Sequence, residues 1–306
     1  MSLLDHVAGT LEGPLTPSDF ARIRSVRLTE PDAISSAWIA RRRRPVAIGD
    51  NRLFIIAADH PARGALGVRD DGMAMASRYD LLQRLAIALA RPGVDGVLGT
   101  PDILEDLAIL GVLENKIAVG SMNRGGLRGA AFEMDDRYTS YDIESIARSG
   151  LDFAKLLLRI NLTDPNTART LEKSALAVTQ AAQRKLPIMI EPFMSEWVDG
   201  SIRNDLSTEA VITSMAVAAG IGASSAYTWL KLPVVHDMER VMGASTLPTL
   251  LLGGDPDGRP DETYASWERA LALPGVHGLV VGRTILYPAD DDVEGVVDAA
   301  ARLVHA

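Results

Sequence analysis

The chain predicts an α/β fold, a (β/α)₈ TIM barrel preceded by an N-terminal helical extension. Three observations lead there. From about residue 52, short β-rich runs alternate with longer helical patterns, and the alternation repeats eight times. No Ser/Gly/Pro-rich tract divides the 306 residues, and no short sequence repeat breaks them into units. Charged residues interrupt several of the β-rich runs at one parity and toward their carboxyl ends, where barrel enzymes carry their sites. The organisation read from this is one domain over residues 1–306, with 1–50 the extension and 52–304 the barrel. A doubly wound open sheet is the competing architecture. It is weakened by the first strand–helix junction, Ala-Asp-His-Pro-Ala-Arg-Gly, which lacks a glycine-rich dinucleotide turn.

The strands are expected at residues 53–58, 96–99, 117–121, 153–160, 187–191, 227–233, 248–252 and 278–281. Each is short, rich in branched and apolar residues, and bounded by Gly, Pro, Asn or Asp. Helices are expected between them at 79–90, 103–110, 141–148, 167–184, 208–219 and 262–273, with Asp102, Ser140 and Ser207 as N-caps. The run Arg41-Arg42-Arg43-Arg44 reads as a solvated end of the N-terminal helical segment, with a phosphate or subunit contact as the minority reading. Pro45 and Gly49 mark a break before the first strand.

Composition excludes several function classes. Hydrophobic residues make up 47% and charged residues 23%, an ordinary globular balance, and the net charge of −9 argues against sequence-independent nucleic-acid binding. Without cysteine there is no disulfide, thiolate metal site or cysteine nucleophile. No apolar run reaches the ~20 residues of a membrane helix, and the start, Met-Ser-Leu-Leu-Asp-His, does not read as a secretory signal. A cytoplasmic protein with no membrane or nucleic-acid partner is the expectation. Five histidines are present (His6, His60, His236, His277, His305), and only His60 and His236 fall near strand ends. A metal site built from converging imidazoles is therefore not expected, and no cofactor is called for.

Strand parity assembles a site. Side chains alternate along a strand, so Phe153, Lys155, Leu157 and Arg159 share a face, as do Tyr227, Trp229 and Lys231. Ile55, Ala57 and Asp59 share one in the first strand, and Met189 and Glu191 in the fifth. Tyr227 and Trp229 are read as core. A lysine inside a barrel must be paired, desolvated or deprotonated. A single one is better explained by a structural ion pair than by chemistry. Two lysines, Lys155 and Lys231, with Asp59 and Glu191 on neighbouring strands, favour chemistry. A lysine beside another cation carries more free amine, which can attack a ketone, while the carboxylates move protons. The last two strand ends, Gly253-Gly254 and Gly282-Arg283, suit a phosphate: glycine backbones approach an anion closely and Arg283 offers a bidentate contact. His60 stands between a hydrogen-bonding role and substrate contact, Arg124 between a substrate carboxylate and a surface role. Arg159 has the stronger claim on substrate.

The series Asp59-His60, Lys155, Glu191-Pro192, Leu230-Lys231, Gly253-Gly254 and Gly282-Arg283 resembles the class I (Schiff-base) aldolase superfamily, at motif level over roughly residues 52–304. That group includes tagatose-bisphosphate, archaeal-type fructose-bisphosphate and deoxyribose-phosphate aldolases. Asp-Phe-Ala-Lys-Leu-Leu-Leu, Ile-Glu-Pro-Phe and Trp-Leu-Lys-Leu-Pro are similar to the tagatose-bisphosphate aldolase segments around the second lysine, the catalytic glutamate and the Schiff-base lysine. The resemblance implies Lys231 as the imine-forming residue, with Lys155, Glu191 and Asp59 as acid–base partners. The spacing of Arg63 after Asp59 and the Gly-Gly-Asp turn depart from the pattern. Actinobacterial (β/α)₈ proteins that accompany inositol-catabolism enzymes are similar too. They imply 5-dehydro-2-deoxy-6-phosphogluconate as substrate, cleaved to dihydroxyacetone phosphate and malonate semialdehyde. The residues themselves say only a phosphorylated ketose or keto-acid. The expected partner is that phosphosugar, with assembly as a homo-oligomer. A non-catalytic phosphosugar-binding barrel and a phosphosugar isomerase or epimerase stand as alternatives.

Overall fold

The computed structural model describes residues 14–46, 49–122, 126–254 and 260–306. Two helices open it, α1 (Pro17–Thr29) and α2 (Asp32–Ala40). The first half of the barrel follows as β1 (Leu53–Ala57), α3 (Arg78–Ala90), β2 (Gly96–Gly99), α4 (Pro101–Leu110), β3 (Ile117–Ser121), α5 (Ile143–Arg148), β4 (Phe153–Ile160) and α6 (Asn166–Arg184). Next come β5 (Ile188–Val198), β6 (Ser201–Asn204), α7 (Thr208–Ala219), β7 (Thr228–Pro233), α8 (Met238–Met242) and β8 (Thr249–Leu252). The circuit ends with α9 (Pro260–Leu271), β9 (Val276–Val281), α10 (Arg283–Leu286) and α11 (Val293–Val304). Every barrel pairing is parallel in the order β4-β3-β2-β1-β9-β8-β7-β5, and β4 pairs back onto β5, closing eight strands into the (β/α)₈ barrel.

The alternation of side chains divides the core in two. One face of the strands, including Phe54, Ile56, Ala154, Leu156, Ile188, Ile190, Leu230 and Leu232, packs with the outer helices. The other face fills the barrel with Leu53, Ile55, Ala57, Leu98, Ile117, Val119, Phe153, Met189, Leu250 and Val280. Trp229 packs on this inner cluster and meets Phe153 edge to face at 5.4 Å, a geometry worth about 0.5–1.5 kcal/mol beyond burial. Trp229 is thus core, as expected. Tyr227 stops just short of β7, is half-buried and does not join the inner cluster.

Several boundaries differ from expectation. Helix α5 is capped by Asp142, which accepts from Ser145 N at 2.6 Å, and not by Ser140; the capping box with Ser145 makes Asp142 the better start. Helix α4 starts at Pro101 with Thr100 as N-cap, and Asp102 lies in its first turn. Ser207 caps α7 as expected. Strand β5 runs seven residues past Glu191 and folds back on β6 through Asp199-Gly200, with φ of 49° and 75°. That pair is the Asp-Gly hairpin signal, with both turn residues left-handed, and it was legible in Val198-Asp199-Gly200-Ser201.

The arginine run is the main correction. Residues 41–46 are irregular, not helical, and Arg41 is only 6% exposed. Its guanidinium donates to the carbonyls of Lys116 and Gly150 and pairs with Asp152 at 3.1 Å. Arg43 takes the other oxygen of Asp152 at 2.8 Å, Arg44 pairs with Asp95, and Arg42 pairs with Glu114. Asp95 and Asp152 also accept the backbone N–H of Phe54 and Ala118, from strands β1 and β3. The run is a clamp under the amino ends of the strands. Sequence shows four adjacent charges; only tertiary structure brings two buried aspartates to meet them. Helices α1 and α2 pack on α4, where Arg27 reaches Asp106 at 2.7 Å and Glu105 at 3.1 Å. Residues 1–13 of the expected helical extension lie outside the described residues.

Removing one partner of a buried ion pair strands the other. Arg41→Ala is expected to destabilise the protein by about 3 kcal/mol, with Arg43 partly compensating Asp152. Arg42→Ala, on an exposed pair, should cost under about 1 kcal/mol. Urea unfolding of both variants checks the contrast; equal losses would refute the clamp.

Candidate active site

At the carboxyl ends of the strands the inner face turns from apolar to ionic. Ser121 on β3, Lys155 on β4, Glu191 on β5 and Lys231 on β7 all sit above the inner cluster, and Asp59 stands two residues past β1. All five are buried. They form one chain of contacts. Ser121 Oγ donates to Asp59 Oδ2 at 3.0 Å, and Lys155 Nζ donates to the same oxygen at 3.0 Å. Lys155 Nζ also pairs with Glu191 Oε2 at 2.7 Å, and Lys231 Nζ donates to Glu191 Oε1 at 2.8 Å. Register explains the reach: Lys155 lies level with Ser121 on one side and Met189 on the other, so Glu191 is one pleat higher. The four ionisable residues expected from parity thus come together. Ser121 was missed, although it continues the inward face of Ile117 and Val119 and could have been found by the same rule.

The two lysines are not equivalent. Burial alone would lower the pKa of Lys155, but Asp59 and Glu191 both contact its ammonium and raise it above the ordinary lysine value. Burial also lowers Lys231; among the described residues its ion pair is with Glu191 alone, the Lys155 charge opposes its own, and its pKa ends below the ordinary value. Burial would raise Glu191, but the two ammonium groups hold it down to about 2. Burial would likewise raise Asp59, but the ammonium groups of Lys155 and Lys231 keep it well below the usual carboxylate range. The arrangement is a fixed ammonium between two carboxylates, with a second amine at the end of the chain that is easier to deprotonate.

His60 follows Asp59 and lies with Nδ1 3.9 Å from the Asp59 carboxylate. Burial pushes its pKa down to about 3, and the charges of Arg283, Lys231 and Arg63 add to this, so the ring is neutral. Nδ1 is buried and makes no hydrogen bond among the described residues. Gly282 packs beside it: a Cβ there would stand 2.4 Å from the Ala57 carbonyl oxygen and 3.1 Å from His60 Cε1. A Cβ at Gly253 would overlap the Val281 side chain at 2.0 Å, so β8 and β9 need glycine there to approach. Gly254 follows with φ 72°. Arg283 opens α10 and is half-buried; burial lowers its pKa, and Arg128 and Arg63 lower it further.

Arg159 is a correction. It shares the inward parity of Lys155 but stands four residues on, about 13 Å along the strand. There its Nη1 pairs with Glu133 at 2.9 Å and its Nε with Asp136 at 3.1 Å, all three side chains being buried. These contacts tie it to the segment between β3 and α5, which it holds in place. Parity along one strand could not show the two loop carboxylates, which lie 26 and 23 residues earlier in sequence. His236 is exposed beyond β7, and Arg124 lies outside the described residues. Among the described residues no group of three or more His, Cys, Asp or Glu is placed to hold a metal ion, and no helix is long and apolar enough to cross a membrane.

The model of a family described as Cgl0159-like matches residues 51–301. The crystal structure of Cgl0159 from Corynebacterium glutamicum is 62% identical, covering 96% of this chain and 99% of that one, with a TM-score of 0.94. A fructose-bisphosphate aldolase from Slackia heliotrinireducens is 15% identical over 97% of this chain and 92% of its own, with a TM-score of 0.64. A Schiff-base-forming fructose-1,6-bisphosphate aldolase is 18% identical over 89% of this chain and 99% of its own, with a TM-score of 0.59. These two likenesses are of fold. A comparison with curated proteins gives no match. With the model covering most of the chain and the Corynebacterium structure superimposing over nearly all of it, the protein belongs to the Cgl0159-like family.

Proposed function

We propose that the protein is a class I aldolase, cleaving a phosphorylated ketose or keto-acid through a Schiff base on Lys231. The observation that carries this is the asymmetry of the lysine pair: Lys155 is held as an ammonium by two carboxylates, while Lys231 shares one carboxylate and is pushed toward the amine. The Lys231 amine attacks the substrate ketone, and loss of water from the carbinolamine leaves an iminium. The carbon–carbon bond electrons flow into that iminium to give an enamine. The departing carbon becomes an aldehyde as its hydroxyl proton passes to a carboxylate. Glu191, in contact with both amines, is placed to carry protons at the carbinolamine and the enamine. Asp59, held by Ser121 and Lys155, takes the hydroxyl proton. The phosphate is assigned to the backbone of Gly253, Gly254 and Gly282 with Arg283 beside it. The specific substrate proposed is 5-dehydro-2-deoxy-6-phosphogluconate, yielding dihydroxyacetone phosphate and malonate semialdehyde, a step of inositol catabolism. The fold shared with Schiff-base aldolases supports the class of reaction, not the substrate.

Borohydride reduction during turnover tests the covalent step. The adduct should map to Lys231 by mass spectrometry and vanish in Lys231→Met. A label on Lys155 would reverse the two roles. No label, with tight phosphosugar binding, would indicate a non-catalytic barrel, and turnover without a three-carbon fragment would indicate an isomerase.

Lys155→Met removes the like charge that disfavours the Lys231 ammonium and frees Asp59 and Glu191 to stabilise it. The Lys231 pKa should rise, less amine should be present at a given pH, and the pH dependence of trapping should move upward. A downward or absent shift in the trapping profile would contradict the electrostatic account.

Arg283→Ala should weaken binding of the phosphorylated substrate by ~1.5–3 kcal/mol, the range for a charge-assisted hydrogen bond. Equal affinity of the unmodified protein for phosphorylated and unphosphorylated sugars would sink the phosphate assignment.

A further inference from the structure

Above the lysine chain the mouth of the barrel has two unlike flanks. Hydrogen-bonding side chains gather at the ends of β9, β1 and β3, where Arg283, Asp59, His60 and Ser121 stand. On β4, β5 and β7 the inward positions at and above the reactive pair are mostly apolar. Leu157 lies level with Glu191, Phe193 is the next inward residue after Glu191, and Pro233 is the next after Lys231. Arg159 is level with Phe193, but its guanidinium pairs with Glu133 and Asp136 of the segment between β3 and α5. Ser195, one inward position higher, donates to Asn204 Oδ1 at 2.9 Å.

Phe193 stands apart from the other apolar residues of the strands. It is as buried as Lys231, 6% exposed against 5%, yet it joins neither the apolar cluster under the outer helices nor the one inside the barrel. Its place is fixed by the sheet and not by a loop, because Arg159 and Ile160 pair with Phe193 and Met194 at this level. Its position is about 7 Å beyond Glu191 along the strand, on the solvent side of the ion pair between Glu191 and Lys231. A ring buried outside the core offers a ligand packing and no hydrogen bond.

The order of strands decides which part of a ligand meets it. Strand β7 stands between β8 and β5. With the phosphate at the end of β8 and the carbonyl on Lys231 of β7, as proposed, the chain beyond the carbonyl continues toward β5 and β4, past Glu191 to Phe193. The atoms that reach the ring lie beyond the bond that breaks. They are the carbon whose hydroxyl proton Asp59 takes and the carbon after it. A hydroxyl on that further carbon would leave water for a phenyl ring and find no partner, whereas a methylene would lose nothing.

We infer that Phe193 is a specificity-determining residue: it selects substrates in which the carbon next to the released aldehyde bears no hydroxyl, and it turns away fully hydroxylated sugar phosphates. The inference rests on the aldolase reading for the direction in which the substrate lies. The selection itself is a property of the ring and can be measured without any carbonyl.

The probes are glucitol 6-phosphate, 2-deoxyglucitol 6-phosphate and 3-deoxyglucitol 6-phosphate, titrated calorimetrically at fixed salt. The 2-deoxy compound lacks the hydroxyl that would face Phe193, and the 3-deoxy compound lacks the one assigned to Asp59. The unmodified protein should bind the 2-deoxy compound about tenfold more tightly than the glucitol, and the 3-deoxy compound no more tightly. Phe193→Ser and Phe193→Tyr each put a hydroxyl on the wall and should erase the preference, while Phe193→Leu keeps the wall apolar and should retain it. None of the probes can form a Schiff base, so a failure of borohydride trapping leaves this comparison standing, and a failure here leaves the trapping untouched. Equal affinity for the 2-deoxy compound and the glucitol, an equal gain from the 3-deoxy compound, or a preference that survives both hydroxyl-bearing variants would overturn the inference.

Discussion

Everything at the carboxyl end of the barrel is organised around the Lys155 ammonium, shared between Asp59 at 3.0 Å and Glu191 at 2.7 Å. Two carboxylates cannot stay ionised in a buried site without a cation between them, and one cation cannot satisfy four oxygens. Ser121 adds a second donor to the Asp59 oxygen that Lys155 contacts, and Lys231 takes the other oxygen of Glu191. The same sharing makes the lysines different in character, because the second amine receives only what the first leaves. A symmetric pair of salt bridges would have produced two ordinary ammonium groups. Three groups in a row followed by a fourth produce one fixed charge and one amine easier to deprotonate.

The opposite end of the barrel uses the same physics for stability. Asp95 and Asp152 are buried beneath the strands, each accepting a backbone N–H of a neighbouring strand and each meeting arginines from the run that precedes β1. His305, at the far end of α11, adds contacts to Asp50 and Asp95. The arginine run and the end of the last helix thus make polar contacts below the strands, and between the two ends of the barrel lies the apolar inner cluster with Phe153 and Trp229. The dry middle layer separates a structural charge network from a reactive one.

Between mouth and solvent, arginines divide the labour according to what surrounds them. Arg159 is saturated by Glu133 and Asp136 and holds a loop in place. Arg69 and Arg128 stand exposed on the neighbouring segments, Arg128 on the loop Arg159 holds. Charge matched within the protein gives rigidity.

The sequence alone determined the eightfold alternation, most strand positions and the inward set Asp59, Lys155, Glu191 and Lys231, because period-2 patterning and turn residues are local properties of the chain. It determined also that Trp229 belongs to the interior. Tertiary structure alone decided what each charge meets. Arg159 looked like a substrate ligand until two loop carboxylates closed on it, and the four arginines looked solvated until Asp95, Asp152 and Glu114 arrived from distant turns. The aldolase likeness is a likeness of fold, and the family membership says which chains share this one. The difference between Lys155 and Lys231, identical residues in similar strand contexts, follows from the count of carboxylate oxygens within reach. That count depends on the register of β3, β4, β5 and β7 around a closed barrel, which no stretch of sequence shorter than the whole barrel can encode.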